Sequence, residues 1–247
     1  MEIDRAGSEA PVLWVTGAGS GIGRAVAVRA AARGSRVVLS GRRPAAVTGT
    51  GELIARAGGQ GLVLPLDTTD PAAIGAAHET VTATWGAVTQ LVLAAGLNTP
   101  ERYWRDQSLE RFEDIVATNL TAVVRVVDAV LPDMREAGSG NIVVVSSYSA
   151  WRFTPHAGVA YSASKSALAA VCRTLNEQEA GHGIRSCHLC PGDVDTDFLR
   201  LRPRAPDEAA RAGMLSPDDV ASAVLYVLQV PAHVRIDELV ISPTSQT

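Results

Sequence analysis

The sequence predicts a doubly wound α/β fold, a parallel sheet of about seven strands with helices on both faces. Three observations point to it. Short apolar runs such as V-L-W-V, L-V-L-A and I-V-V-V-V alternate with longer stretches of helical pattern, and strands covered on both faces need such continuous apolar runs. A glycine-rich turn stands between the first apolar run and the first helical stretch. Neither an internal repeat nor a Pro/Ser-rich linker breaks the alternation, so one domain is expected.

In chain order, strands are expected at 12–16, 36–40, 61–66, 90–94, 141–147, 184–190 and 238–241. Helices are expected between them at 21–33, 44–57, 71–84, 108–136, 159–180 and 216–229. Strand–helix–strand units in one sheet close by right-handed crossovers. The 108–136 and 159–180 stretches are long and apolar on more than one face, as in D-I-V-A-T-N-L-T-A-V-V-R-V-V. Such a helix has one face for the sheet and another for a partner subunit. The only shift in composition, D-F-L-R-L-R-P-R-A-P-D-E, marks an irregular insertion at about 195–215. The expected organisation is a loose tail at 1–10 followed by one domain over 11–247.

Composition bounds the partners. A chain of 247 residues, 47% hydrophobic and 19% charged, can bury a large core. Its net charge of −4 offers neither a basic footprint for nucleic acid nor a polybasic membrane anchor. The first ten residues carry three acids and no apolar stretch, unlike a signal peptide, and no run of about eighteen apolar residues is evident. A cytoplasmic protein is expected. Cys187 and Cys190 have C-x-x-C spacing around His188, but residues three apart on a strand point to opposite faces. Neither a disulfide nor a metal is therefore expected.

Two motifs carry chemistry. In Y-S-A-S-K, Tyr161 and Lys165 share a helix face. A lysine ammonium favours tyrosinate, and a phenol tuned downward in this way exchanges a proton with a substrate oxygen. The second is T-G-A-G-S-G-I-G at 16–23. Gly17 permits a tight turn, while Gly21 and Gly23 let the backbone approach a pyrophosphate and the helix pack on the sheet. The helix N-terminus then supplies N–H donors and partial positive charge to phosphates. A nucleotide beside a proton donor is implied.

The G-x-x-x-G-x-G spacing together with Y-S-A-S-K resembles the short-chain dehydrogenase/reductase family, from Pro11 to the end. The resemblance implies a Rossmann-type fold and a nicotinamide cofactor cradled by Gly17, Gly19, Ser20, Gly21, Ile22 and Gly23. It assigns the adenine side to Asp67 and Thr68 in L-D-T-T-D, and the nicotinamide side to Pro191, Gly192, Val194 and Thr196 in P-G-D-V-D-T. Ala95 and Gly96 would wall the cofactor, although L-A-A-G replaces the family's N-N-A-G. Tyr161 and Lys165 would also touch it. The catalytic set implied is Asn119 in A-T-N-L-T, Ser147 in V-V-V-S-S-Y, Tyr161 and Lys165, with Ser146 the neighbouring option. In this scheme Tyr161 passes the proton, Ser147 holds the substrate oxygen, Lys165 holds the ribose, and Asn119 supports a relay water. Family members commonly pair through their two long helices, so a homodimer or homotetramer is expected.

Cofactor choice is read after the second strand, where an NAD site commonly places an acid. Here L-S-G-R-R puts Gly41 at that position, followed by Arg42 and Arg43. Arginine pairs with a 2′-phosphate and a carboxylate repels it, so NADP(H) is expected, with NAD(H) the alternative. The expected function is hydride transfer to or from a small carbonyl or secondary alcohol. A non-catalytic nucleotide-sensing relative is the alternative from another class, but it would have little need for Ser147, Tyr161 and Lys165 together. Candidate substrate contacts are Leu97, Asn98, Ser149, Trp151, Arg152, Phe153, His156, Asp193 and Phe198. Arg200, Arg202 and Arg204 are candidates for a substrate carboxylate. The ending E-L-V-I-S-P-T resembles members acting on 3-hydroxy acids.

Overall fold

Alternation along β1 (Val12–Thr16) shows how the sheet is covered. Leu13 and Val15 enter one apolar layer, Val12 and Trp14 the other, and all four are buried. The structure, a computed structural model, describes residues 10–246. The expected tail at 1–10 falls outside them except for Ala10. The further strands are β2 (Arg36–Ser40), β3 (Gln60–Val63), β4 (Gln90–Leu93), β5 (Gly140–Val145), β6 (Ile184–Pro191) and β7 (Glu238–Ile241). They form one seven-stranded parallel sheet in the order β3-β2-β1-β4-β5-β6-β7, the doubly wound arrangement that the apolar runs predict.

One face is covered by α1 (Gly21–Ala31), α2 (Pro44–Arg56) and α9 (Pro217–Gln229), which share a core with Leu39, Val143 and Leu189. On the other face α3 (Pro71–Trp85), α5 (Ala122–Glu136) and α7 (Val159–Glu179) enclose Trp14, Leu91 and Ile142. Shorter helices α4 (Leu109–Val116), α6 (Tyr148–Trp151) and α8 (Glu208–Ala212) lie in the connections. Capping sets several starts. Asp70 accepts from the Ala72 and Ala73 amides ahead of α3, and Ser216 and Asp219 form a reciprocal capping box at α9. The strand order reverses between β1 and β4, which opens a crevice at their carboxyl ends.

Two expectations are corrected. The helix expected over 108–136 is interrupted by a π-helical turn at Ala117–Thr121, where the Ala122 N–H reaches back to the Ala117 carbonyl. The turn carries Asn119, whose amide hydrogen-bonds the Leu97 backbone of a neighbouring loop. The strand expected over 141–147 stops at Val145, so Ser146 and Ser147 leave the sheet, and Ser147 caps α6 instead. Leu109–Glu136 is long and apolar enough to cross a membrane by length and composition only: its most apolar 18-residue window has a mean hydropathy of 1.6, and half of that window is buried. Val123, Val126, Val127, Val130 and Met134 account for that hydropathy by packing in the protein core.

The glycine loop is as tightly built as the core. Gly17 has φ +68°, and a Cβ there would lie 2.7 Å from the Ala94 carbonyl oxygen. A Cβ on Gly23, in the first turn of α1, would overlap the Gly17 carbonyl. Gly23→Ala is therefore expected to lower unfolding stability by about 1–3 kcal/mol, the usual cost of overpacking. Urea unfolding measures this, and an unchanged midpoint would mean that the turn moves aside freely.

Candidate active site

The crevice begins at the glycine loop. Ser20 stands at the N-cap of α1 but its side chain caps no helix amide, which leaves the first-turn N–H groups directed outward. These are the donors that a pyrophosphate needs. Gly21 has φ +51°, and Thr196 closes on it, with its methyl 3.2 Å from where a Gly21 Cβ would stand. Gly19 is packed close to Ala46, and Ile22 rests on the core beneath. The cradle fits a dinucleotide phosphate: its narrow points are glycines, and its outward donors are uncommitted.

Of the two arginines after β2, Arg43 is the one tied to this loop, donating to the Ser20 hydroxyl at 2.9 Å. Arg42 is exposed, with no side-chain partner among the described residues. A Cβ on Gly41 would lie 3.3 Å from the Val47 side chain and 4.0 Å from the Ala18 and Gly19 amide nitrogens. A larger residue at 41 thus fits with a small adjustment and points toward the phosphate loop. Asp67 accepts from the Thr69 amide and hydroxyl, both at 2.9 Å, and Thr68 is buried beside it.

Beyond β4, the Ala95 amide donates to the Thr16 hydroxyl at 3.3 Å. Asn119, on the π-helical turn, is fully buried. Its amide clasps the Leu97 backbone in both directions, accepting from Leu97 N at 2.7 Å and donating to Leu97 O at 2.9 Å. It also donates to the Ser164 hydroxyl at 3.3 Å. The side chain is therefore committed to shaping the loop. A Cβ on Gly96 would lie 3.7 Å from Asn119 Oδ1 and 3.8 Å from Lys165 Nζ, so three of the expected site residues converge here.

The end of β5 meets α7 at Lys165, which is 4% exposed. Its ammonium donates to the Val145 carbonyl at 2.8 Å and lies 5.9 Å from the centre of the Tyr161 ring. Burial lowers its pKa to about 8. The Ser146 hydroxyl is spent on the Lys165 carbonyl, at 3.1 Å. The Ser147 hydroxyl, by contrast, accepts from the Ser149 amide and hydroxyl and lies within hydrogen-bonding reach of Tyr161. Ser147 is thus the serine that faces the phenol.

The expectation that lysine pulls Tyr161 toward tyrosinate is corrected. Burial dominates and pushes the phenol pKa up, opposed by the Ser147 hydrogen bond and by the charges of Arg102 and Arg202. The ammonium lies 5.9 Å from the ring centre and donates to the Val145 carbonyl. A phenol in this state keeps its proton at neutral pH.

The substrate candidates divide into two groups. Asn98 is buried and donates to the Ala157 carbonyl at 3.0 Å, and Ser149 is buried beside Ser147. Phe198 lies 6.0 Å from the Tyr161 ring, and Asp193 pairs with Arg202 at 2.5 Å. Trp151, Arg152, Phe153 and His156 are all exposed at the rim. Pro191 ends β6, and Val194 bridges to Leu215. Gly192 sits where a side chain would overlap Gln246, whose amide oxygen accepts from the Asp193 N–H at 2.8 Å.

Sequence reasoning missed Arg102, a 5% exposed residue whose guanidinium donates to carbonyls of Thr99, His156 and Leu201. The His156 and Leu201 partners come from segments distant in the chain, so no local pattern marked it. It also missed His188, Cys190 and Glu238, whose ligand atoms gather within 4.8 Å of one another. Cys187 and Cys190 do point to opposite faces, as expected, with Cys187 in the α9-side core. The grouping joins residues two apart on β6 to one across on β7, which C-x-x-C spacing does not reveal.

Because Lys165 loses its proton near pH 8 when folded and near 10.5 when exposed, the unfolded chain holds more protons between these values. Stability contributed through Lys165 should therefore rise with pH across that window. Urea unfolding of wild type and Lys165→Met from about pH 7.5 to 10 should show their stability difference growing in favour of wild type. A difference that stays flat would contradict the burial of the ammonium.

The short-chain dehydrogenase family model matches residues 11–206. Glycine betaine reductase ATRR of Emericella nidulans is 32% identical over 240 residues, 95% of this chain, although the chain spans only 19% of that much longer protein. The alcohol dehydrogenase of the archaeon Thermococcus sibiricus, solved with 5-hydroxy-NADP, superposes with a TM-score of 0.86 at 29% identity, covering 97% of this chain and 99% of its own. A serine dehydrogenase solved in its closed form with NADP+ gives a TM-score of 0.85 at 29% identity, covering 96% of each chain. With a family model matched along most of its length and the sheet order, glycine loop and Ser–Tyr–Lys grouping in place, this chain belongs to the short-chain dehydrogenase family of oxidoreductases.

Proposed function

We propose that the protein is an NADP(H)-dependent oxidoreductase that moves hydride between the nicotinamide and a small carbonyl or secondary alcohol. The observation that carries this reading is the half-buried Tyr161 side chain, set between the Ser147 hydroxyl and the Lys165 ammonium. The nicotinamide, when bound, supplies or takes up the hydride; the protein supplies orientation and electrostatics. In reduction, Tyr161 hands its proton to the carbonyl oxygen, and its raised pKa keeps that proton available. Ser147 donates to the same oxygen and stabilises its growing negative charge. Lys165 holds the cofactor ribose and keeps positive charge beside the phenol. Asn119 positions the Leu97 loop, which leaves any relay water to the main chain of its π-helical turn.

The substrate is proposed to be acidic, a 3-hydroxy acid or its keto partner. Arg102 and Arg202 both bear electrostatically on Tyr161, and Arg102 is a buried cation whose hydrogen-bond partners among the described residues are carbonyls. The structurally similar serine dehydrogenase is named for a 3-hydroxy acid. Residues at about 195–215, including the turn at Asp197–Leu201, are proposed as a lid over the pocket. Asp193 and Phe198 would be its inner contacts. Association into a homodimer or homotetramer through the long helices is proposed on the partly exposed Val124 of α5 and Leu109 of α4. A cytoplasmic setting fits the three free cysteines.

Tyr161→Phe removes only the phenolic O–H. The variant should fold, bind NADPH and lose nearly all turnover on a panel of aldehydes, ketones and keto acids followed by NADPH absorbance. Retained turnover would exclude Tyr161 as the acid.

NADPH should bind more tightly than NADH by about 10- to 100-fold, the worth of a charge-assisted contact of roughly 1.5–3 kcal/mol. Arg42→Ala and Arg43→Ala should each narrow the ratio, and the double variant should narrow it most. Gly41→Asp should reverse it, since its carboxylate would face the phosphate loop. Fluorescence titration decides, and equal wild-type affinities would favour the NAD(H) alternative.

A further inference from the structure

Behind the catalytic serine, β6 and β7 bring three unlike donors to one point. His188 and Cys190 are two residues apart on β6 and therefore share a face, and His188 is paired in register with Glu238 on β7. Both β6 residues are buried, His188 at 2% exposure and Cys190 at 0%. The Glu238 side chain is 36% exposed and opens the group to solvent. His188 Nδ1 lies 2.9 Å from Glu238 Oε2 and 3.4 Å from Cys190 Sγ. One ring nitrogen thus faces both partners, and a single proton on it serves only one of them. A cation at that point serves all three.

We infer that His188, Cys190 and Glu238 form a binding site for a divalent ion of the zinc class, directly behind the Ser147 turn. Imidazole, thiolate and carboxylate together suit zinc better than magnesium or calcium, which prefer oxygen alone. Zinc bonds of about 2.0–2.3 Å set tetrahedral ligand atoms roughly 3.3–3.6 Å apart. The observed spacings of 2.9 and 3.4 Å, with all three atoms within 4.8 Å, need shifts of a few tenths of an ångström to about one. Water entering beside Glu238 completes four ligands. On binding, the Cys190 thiol passes its proton to solvent as the metal–sulfur bond forms.

The position gives the ion structural leverage. It would clip the edge strand β7 to β6, and Cys190 also receives a backbone hydrogen bond from Ser147. The site depends only on these three side chains and stands whether or not the proposed reductase activity does.

Cobalt(II) is the probe, because its thiolate complexes absorb by sulfur-to-metal charge transfer. Titration of the full chain should give that band with one equivalent bound, and zinc should displace the cobalt and raise the unfolding temperature. Cys190→Ser should abolish the band. Glu238→Gln, at a partly exposed position that tolerates the change, should weaken binding tenfold or more. Cys172→Ser and Cys187→Ser should leave the band intact. The proposal is overturned by absence of the band under excess cobalt, by its survival at full strength in Cys190→Ser or in Glu238→Gln, or by its loss in Cys187→Ser. Should Cys190→Ser fail to fold, Glu238→Gln and the two control cysteines still decide.

Discussion

The site depends on a buried ammonium. Lys165 leaves water for the interior of the protein and recovers one strong hydrogen bond, to the carbonyl of the last residue of β5. The Ser146 hydroxyl answers by donating to the Lys165 carbonyl, so strand end and helix hold one another at two points. Between those points the chain can do little except turn, and the turn presents Ser147. One helical turn before Lys165, the same helix presents Tyr161. Desolvating a lysine is costly, and a fold retains such a group where its charge has a use. Under the proposed function, that use is to keep positive charge near the phenol and to hold the cofactor ribose.

Around that centre the two ends of the crevice are built on opposite plans. The nucleotide end is made of backbone: glycines at 17, 21 and 23, outward amides at the start of α1, and the close passage of the Ala94 carbonyl. The substrate end is made of side chains reaching across loops, with Arg102 gathering carbonyls from Thr99, His156 and Leu201. The first plan yields a shape that few side chains can disturb. The second yields a pocket whose outline is set by residues far apart in the chain.

This contrast explains what was legible beforehand. The strands could be read because a buried parallel strand needs a nearly unbroken apolar run, and I-V-V-V-V has no other sensible home. The glycine loop and Y-S-A-S-K were legible because their geometry is local. The break in the 108–136 helix was not, because its cause is the clasp between Asn119 and Leu97, a contact between distant segments. The tyrosine's direction of tuning was misjudged for a related reason. Helical spacing places a lysine near a phenol, but it does not report how deeply both are buried. Whether Arg42 or Arg43 would lean on the phosphate loop turned on a rotamer, and His188, Cys190 and Glu238 met only through the β6–β7 register.

The glycine loop carries a consequence for descent. At 17 and 23 there is no room for even one methyl group, so mutation has almost nothing to offer there except loss. The segment from Pro203 to Ala205, by contrast, is exposed and free to drift. Divergent copies of this gene would keep the loop and vary the exposed segment, so a lineage would be most alike at its glycines and least alike there.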